Sequence, residues 1–464
     1  MEFIENKTFD EILVGDSASL TRTLGARDIQ LFAVMSGDVN PAHVDPEYAK
    51  SSLFHEVIAH GMWGGALIST VLGTQYPGPG TIYIDQTLHF SRPVTLGDTI
   101  TVTVTVKEKF ERTRHVVFDC KCVNQDGHTV ISGAAEVLAP TEKVRRPRMS
   151  LPEVQLRDPS NRFERLIERA NGLEPIRMAV VHPCDRESLS GAIAAAQAGL
   201  ILPVLVGPEE KIRAAAGQAG TDLSRYEIVN VEHSHAAAAA AVVLAREGRV
   251  DALMKGSLHT DELMAEVLAD DSGLRTARRA SHVFLMDVPS YPKPLLITDA
   301  AINIDPDLDA KRDIVQNAID LALVLGIAQP KVAILSAVET VTPKLRSTLD
   351  AAALCKMSER GQISGGVLDG PLAFDNAISL AAAKTKGIAS AVAGQADILV
   401  APDLESGNMI AKQLEYLADA QSAGVVLGAR VPIVLTSRAD PARARIASCA
   451  VALLLARQKP PKRT

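Results

Sequence analysis

Residues 57–72 read VIAHGMWGGALISTVL, and residues 100–106 read ITVTVTV. The strict alternation of the second stretch has the period of two that is typical of a half-buried β-strand. The first stretch is apolar on nearly every side, so a helix formed by it must be wrapped by other elements. Gly61, Gly64 and Gly65 cost such a helix about 1 kcal/mol each relative to Ala, which indicates that another group approaches closely there. Together the two stretches predict a central helix wrapped by an antiparallel sheet.

Strand-like segments continue on both sides of the alternating stretch. Residues 81–90, 115–123 and 130–138 have the composition of strands, and residues 124–127, NQDG, form a turn between the last two. We therefore predict an α+β domain that covers residues 1–142.

The composition of the chain changes after this domain. Residues 143–160 contain three prolines and a basic run, which predicts a solvated linker; a phosphate-binding role for the basic run is the alternative. In residues 161–464 short apolar runs alternate with helical segments, which is typical of a parallel α/β sheet. A segment of this length is too long to fold around a single hydrophobic core. We predict two lobes, approximately 161–300 plus 430–457 and 301–429, with a cleft between them.

Composition and charge exclude several classes of protein. With 47% hydrophobic and 22% charged residues, the chain of 464 residues is too apolar to be disordered. Its net charge of −7 argues against bulk nucleic-acid binding, although a local pocket can still attract a small anion. Five sparse cysteines imply no disulfide framework, and the apolar runs are too short for a membrane span. We predict a cytoplasmic protein with no permanently bound metal or cofactor.

Residues 36–45, SGDVNPAHVD, precede the predicted helix and carry a carboxylate and an imidazole. Asn40-Pro41 forces a turn, which can bring Asp38 and His43 side by side. Such a pair can share one water, because one group takes its proton while the other returns a proton elsewhere. An ordinary polar surface turn is the alternative interpretation.

The start of the predicted helix favours the catalytic interpretation. A helix N-terminus offers free N–H groups and positive potential, and Gly61 lets a carbonyl oxygen approach them. Ser69 lies two turns further along and could bond a substrate, although a simple packing role is at least equally compatible with its position.

Three segments of this half resemble the MaoC-like, (R)-specific enoyl-CoA hydratases, which have the hot-dog fold. They are SGDVNPAHVDPEYA, HGM at 60–62, and GTIYIDQTLHFSRPVTLGDTI. The resemblance covers nearly all of residues 1–140 and implies addition of water to a trans-2-enoyl-CoA. By this resemblance Asp38 and His43 are the catalytic dyad. The Gly61 N–H would hold the thioester oxygen, and Ser69 would line the site.

Small polar loops follow several apolar runs in the second half. Lys255-Gly256-Ser257 follows residues 252–254, and Ser336 follows residues 332–335. Parallel sheets bind ligands where their strands end, so Lys255 and Ser336 are candidate substrate-binding residues. Each loop is a weak signal alone, and the first lacks the glycine spacing of a P-loop.

The order of these loops resembles the phosphate acetyltransferase and butyryltransferase family over about residues 165–457. The matching segments are LMKGSLHTD, GLRTARRASHVFLMD, ITDAAINIDP, DGPLAFDNA, APDLESGN and PIVLTSRAD. The resemblance implies transfer of an acyl group between CoA sulfur and inorganic phosphate, without a metal. Arg275 and Arg438 would suit phosphate, since a guanidinium binds it through two hydrogen bonds. Ser437 would donate to the oxyanion of the tetrahedral species.

One position departs from the acetyl-type members of that family. They carry an Asp about two helical turns after the Ser-Arg pair, proposed as the base for the CoA thiol, whereas residues 441–445 here read PARAR. Asp440 is the nearby substitute, another Asp could reach in, or positive surroundings could activate the thiol. We predict a bifunctional CoA-thioester enzyme that forms a homo-oligomer. The alternative is a hydratase whose C-terminal half is a non-catalytic acyl-CoA-sensing or oligomerisation module.

Overall fold

The computed structural model describes residues 2–152, 154, 156, 162–436 and 440–457. The chain forms two compact units, residues 1–157 and residues 158–464. No helix in the described part of the chain is both long and apolar enough to cross a lipid bilayer.

The first unit contains short N-terminal elements, a long helix and a set of antiparallel strands. In chain order these elements are β1 (Phe3–Glu5), a 3-10 turn (Phe9–Glu11), β2 (Ser17–Thr23), α1 (Ala26–Ser36), α2 (Pro41–Val44), α3 (Pro46–Ser51), α4 (Gly61–Thr74), β3 (Ile82–Gln86), β4 (His89–Phe90), β5 (Thr99–Phe110), β6 (His115–Val123), β7 (Thr129–Leu138) and β8 (Arg145–Pro147).

The long helix of this unit packs on one face of the sheet. The strand order is β2–β5–β6–β7–β3, with β4 beside β7, and all these pairs are antiparallel. The predicted alternation of residues 100–106 is confirmed, because every second side chain of this part of β5 is buried. In α4, Trp63, Leu67 and Ile68 join the same core as Val104 of β5. The helix-on-sheet arrangement confirms the predicted hot-dog domain.

Helix α4 differs from the prediction in its start and in its surroundings. It begins at Gly61 rather than at residue 57, because His60 has an extended backbone and occupies the N-cap position. The sheet covers only one side of the helix, while Met62 is 55% exposed and Ser69 is also exposed. The prediction that the helix is wrapped on all sides is therefore wrong for the single chain.

The basic run after residue 142 belongs to the first unit. β8 pairs antiparallel with β1, so Arg146 lies opposite Ile4. The ammonium of Lys143 lies 2.9 Å from a carboxylate oxygen of Glu11 and 3.4 Å from one of Glu5. The hydrogen bond from Lys143 lowers the pKa of Glu11 to about 2. The prediction that a solvated linker begins at residue 143 is corrected, since these cations are already paired within the unit.

The second unit alternates strands with helices along nearly its whole length. Its elements are α5 (Arg162–Asn171), β9 (Ile176–Val181), α6 (Arg186–Gln197), β10 (Ile201–Gly207), α7 (Glu209–Ala219), β11 (Glu227–Asn230), α8 (Ser234–Arg246), β12 (Ala252–Lys255), α9 (Thr260–Leu268), β13 (Ser281–Asp287), β14 (Leu295–Thr298), α10 (Leu308–Val324), β15 (Lys331–Leu335), α11 (Arg346–Glu359), β16 (Val367–Leu372), α12 (Phe374–Ile378), α13 (Leu380–Thr385), β17 (Ile398–Val400), α14 (Leu404–Leu417), β18 (Gln421–Leu427), β19 (Ile433–Val434) and α15 (Ala442–Arg457).

These strands form one sheet in which two parallel groups run in opposite directions. The order is β11–β10–β9–β12–β19–β18–β13–β14–β17–β15–β16. The first five strands are parallel to one another, and so are the last four. Between the groups, β18 and β13 pair antiparallel with each other and with their outer neighbours. The predicted α/β sheet with parallel strands is present, and two antiparallel strands join its two parallel groups.

The last helix contributes to the cores of both strand groups. In α15, Cys449 and Leu453 pack in the same buried cluster as Met178 of β9. Ala447 and Val451 of the same helix belong to the cluster that contains Leu296 of β14. The chain thus returns, after building the second strand group, to complete the first.

Candidate functional site

The loop after α1 places the predicted dyad. Gly37 is the C-cap residue of α1, and its φ of 75° lies in the left-handed region that favours glycine. The Asn40 side chain accepts a hydrogen bond from the Ala42 N–H at 3.1 Å and so starts α2. The Asp38 carboxylate in turn accepts from the Asn40 N–H at 3.1 Å. These turns bring a carboxylate oxygen of Asp38 within 4.8 Å of a ring nitrogen of His43.

A second histidine, His60, joins this pair. One of its ring nitrogens also lies within 4.8 Å of the same two groups, and its ring centroid is 4.0 Å from that of His43. From the sequence, His60 was predicted only as part of the HGM motif at the helix start, without a role in the site. The sequence could have indicated His60 as a site residue through its position next to Gly61. An N-cap residue lies at the N-terminal end of the helix, which is where the site is formed.

A cavity of about 300 Å³ opens at the N-terminus of α4. It is lined by His43, His60 and Gly61 together with apolar side chains that include Phe90. A side chain at position 61 would place its Cβ 3.0 Å from the Phe90 ring, so glycine keeps this approach open. Ser69 is not among the lining residues and lies on the open face of α4. The structure thus brings together the predicted dyad and Gly61 but not Ser69.

The hydrogen bonds of His43 indicate which nitrogen is available for chemistry. Its Nδ1 lies 2.9 Å from the carbonyl oxygen of Ile58, which can only accept, so Nδ1 carries the proton. Nε2 is then a lone-pair acceptor that can bind a water or a metal ion. A carboxylate, an imidazole lone pair and a helix N-terminus at one cavity suit proton transfer beside a polarised carbonyl.

In the second unit, Lys255 lies at the carboxyl edge of the first strand group. It ends β12 opposite Val181 of β9. A Cβ at Gly256 would lie 2.4 Å from the Val181 carbonyl oxygen, which only glycine avoids. The Ser257 hydroxyl donates to the His182 carbonyl at 2.8 Å and lies 3.0 Å from His182 Nδ1. His182 itself has a φ of 56°, so this edge is tightly constrained.

Thr436 follows β19 at the same edge and leads to the predicted catalytic pair. Ser437 and Arg438 lie outside the residues that the structure describes. The buried Arg445 donates to the Thr436 hydroxyl at 2.9 Å. Burial lowers the pKa of Arg445, while the nearby charge of Asp440 raises it. Asp440, the candidate thiol base, is therefore a buried carboxylate beside a cation.

Arg275 lies elsewhere, at a polar cavity of this unit. The cavity measures about 550 Å³ and is also lined by Arg278, Arg279 and Arg312. Arg275 precedes β13 and pairs with Asp270. Two antiparallel steps separate β12 from β13, so the two strands run in the same direction. The end of β12 and the start of β13 therefore lie at opposite edges, and the structure does not bring Arg275 to Lys255.

Ser336 belongs to the second strand group. His282 lies at the junction between the two groups. Ser336 follows β15, and its hydroxyl lies 2.8 Å from that of Ser347. His282 is fully buried in β13, and burial lowers its pKa to about 4, although the charge of Asp299 raises it. A backbone group of Leu435 also raises the pKa of His282. The segments after β14 and β19, strands of opposite direction, therefore meet around His282.

Two family models match the chain. The phosphate acetyl/butaryl transferase model matches residues 234–453, and the MaoC-like domain model matches residues 14–124. The first contains Lys255, Arg275 and Ser336, and the second contains Asp38 and His43. The predicted resemblances of the two halves are thus confirmed.

Individual proteins are also similar to parts of this chain. The phosphate acetyltransferase of Rhizobium meliloti is 66% identical over 299 residues, which cover 64% of this chain and 95% of that protein. A branched-chain phosphotransacylase from Enterococcus faecalis V583 is 28% identical with a TM-score of 0.54, over 61% of this chain and 99% of that chain. The R-hydratase PhaJ1 from Pseudomonas aeruginosa is 44% identical with a TM-score of 0.33, over 33% and 99% respectively.

Proposed function

We propose that the chain, which belongs to the phosphate acetyl/butaryl transferase family and also carries a MaoC-like domain, is an enzyme with two activities on CoA thioesters. The second unit would transfer an acyl group between CoA and inorganic phosphate. The first unit would hydrate trans-2-enoyl-CoA to 3-hydroxyacyl-CoA. The observation that carries the hydration activity is the approach of Asp38 to His43, which lines the cavity beside the N-terminus of α4.

Three groups of the first unit would take part in hydration. One member of the pair Asp38 and His43 removes a proton from the water, whose oxygen adds to C3 of the enoyl group. The proton taken from the water passes to the other member, which delivers it to C2, so that one water is added and the dyad regains its starting state. The Gly61 N–H donates to the thioester oxygen, where negative charge develops. CoA thioesters are the substrates, and this scheme uses no metal or bound cofactor.

Acyl transfer requires a phosphate oxygen to attack the thioester carbonyl. The carbon–sulfur bond then breaks, the acyl phosphate leaves, and the CoA thiolate takes a proton. We assign the phosphate to Arg438 and the developing oxyanion to Ser437, which follow Thr436 directly in the chain. Lys255 ends the neighbouring strand β12 and supplies positive charge to the same edge. Asp440 is the candidate for proton exchange with the thiol.

A panel of CoA thioesters tests the two activities together. We expect phosphate-dependent release of free CoA thiol from acetyl-CoA, the substrate class named for the 66% identical relative, and hydration of crotonyl-CoA by the same protein. Butyryl-CoA and 3-hydroxybutyryl-CoA measure the acyl range. Hydration without any phosphate-dependent thiol release would favour the alternative, in which the second unit is an acyl-CoA-sensing or oligomerisation module.

We also propose that the protein is a homo-oligomer with two-fold interfaces. β3 is an edge strand, and its Ile82 and Ile84 are 56% and 49% exposed. Exposed apolar side chains on an unpaired strand edge favour pairing with a second copy. Light scattering at micromolar concentration should give the mass of a dimer or a larger assembly. A monomeric mass under these conditions would contradict the proposal.

A further inference from the structure

His60 occupies an unusual position for a helix N-cap residue. It is only 3% exposed, and its ring lies between those of Phe32 and His43, with centroid distances of 4.9 and 4.0 Å. It directly precedes Gly61, whose N–H belongs to the proposed hydratase site. His60 therefore contacts one member of the dyad and is the N-cap residue of the helix that supplies the oxyanion donor.

The other member of the dyad is linked to His60 by a hydrogen bond. His60 Nε2 lies 3.0 Å from the main-chain carbonyl oxygen of Asp38. A carbonyl can only accept, so Nε2 carries the proton and donates it. The Nδ1 atom is buried and has no hydrogen-bond partner among the described residues.

We infer that His60 is a positioning residue of the hydratase site, an inference that rests on the proposed hydratase function. Its hydrogen bond fixes the backbone of Asp38, so that the carboxylate keeps its place beside His43. A displacement of about 1 Å in such a site can lower the rate roughly 10²-fold. Packing alone predicts a different result, in which only stability depends on His60.

Two substitutions separate the hydrogen bond from the loss of the ring. In His60→Gln, the side-chain amide nitrogen can take the place of Nε2 and still donate to the Asp38 carbonyl. In His60→Asn, the amide nitrogen takes the place of Nδ1 and cannot reach that oxygen. Both variants remove the aromatic ring, so any difference between them reports on the hydrogen bond. His89→Asn is the matched control, since His89 is exposed and does not line the cavity.

Crotonyl-CoA hydration by the full-length protein is the measurement, together with melting curves and phosphate-dependent thiol release. We expect His60→Asn to lower kcat at least about 10-fold with little change in KM, and His60→Gln to retain most of the wild-type kcat. Thiol release and His89→Asn should be unaffected. Wild-type kcat in His60→Asn, or equal losses in the two variants, would overturn the positioning role. Absence of hydration in the wild-type protein would instead overturn the proposed function and this role with it.

Discussion

Replacing His43 with Ala, or Asp38 with Asn, should lower the hydration of crotonyl-CoA by roughly 10²–10⁴-fold, the range for loss of a general acid or base. The structure supports this expectation because both groups lie near His60, and His43 lines the same cavity as Gly61. Either change removes one of the two groups between which the water's proton passes, so the remaining group must both accept that proton and deliver it to carbon.

The measurement is kcat/KM for crotonyl-CoA, and the same protein provides its own control. Phosphate-dependent thiol release by the second unit should be unchanged in both variants, since the two units have separate cores. A His43→Ala protein that hydrates crotonyl-CoA at nearly the wild-type rate would remove this residue from the mechanism.

Arg438→Gln should lower acyl transfer to phosphate by about 10²-fold or more, the scale of one lost electrostatic donor. The substitution removes the charge and keeps most of the side-chain length. Because a guanidinium binds phosphate through two hydrogen bonds, the concentration of phosphate that half-saturates the enzyme should also rise. Steady-state kinetics against phosphate measures both effects, and crotonyl-CoA hydration should remain at the wild-type rate.

A purely structural role of Arg438 makes a different prediction. If it only paired with a nearby carboxylate such as Asp440 or Asp403 and steadied its turn, the variant would melt earlier but saturate normally with phosphate. Asp440 already has the buried guanidinium of Arg445 close by, which weakens that explanation. Unaltered transfer kinetics in Arg438→Gln would show that the residue does not contribute to the site.

The parts of the structure that local patterns could predict are those with short-range causes. The alternation at residues 100–106 predicted β5, because a period of two is a property of the strand itself. The pairing of β8 with β1 was missed, since residues 145–147 find their partners some 140 positions away. His60 was missed for a related reason: its hydrogen bond to Asp38 and its contact with Phe32 depend on how α1 and α4 pack.

The direction of the central strands could also have been predicted better. Buried strands have the same apolar composition whether their neighbours are parallel or antiparallel, so composition alone favoured a parallel sheet. The connection between β13 and β14 spans only residues 288–294, however. A parallel connection needs a dozen residues or more, so this length already indicated an antiparallel pair. Ser437 and Arg438 remain predictions, because they lie outside the described residues.

The late return of the chain to its first strand group has a consequence for biosynthesis. While a ribosome is still translating the second group, β12 has no neighbour on its β19 side, because residues 433–434 do not yet exist. The hydrophobic clusters of both groups also lack the side chains of α15. The nascent chain must therefore protect an open strand edge and two incomplete cores until β19 and α15 emerge. Loss of α15 by premature termination would leave the hydrophobic cores of both strand groups incomplete, and the protein would be prone to aggregation.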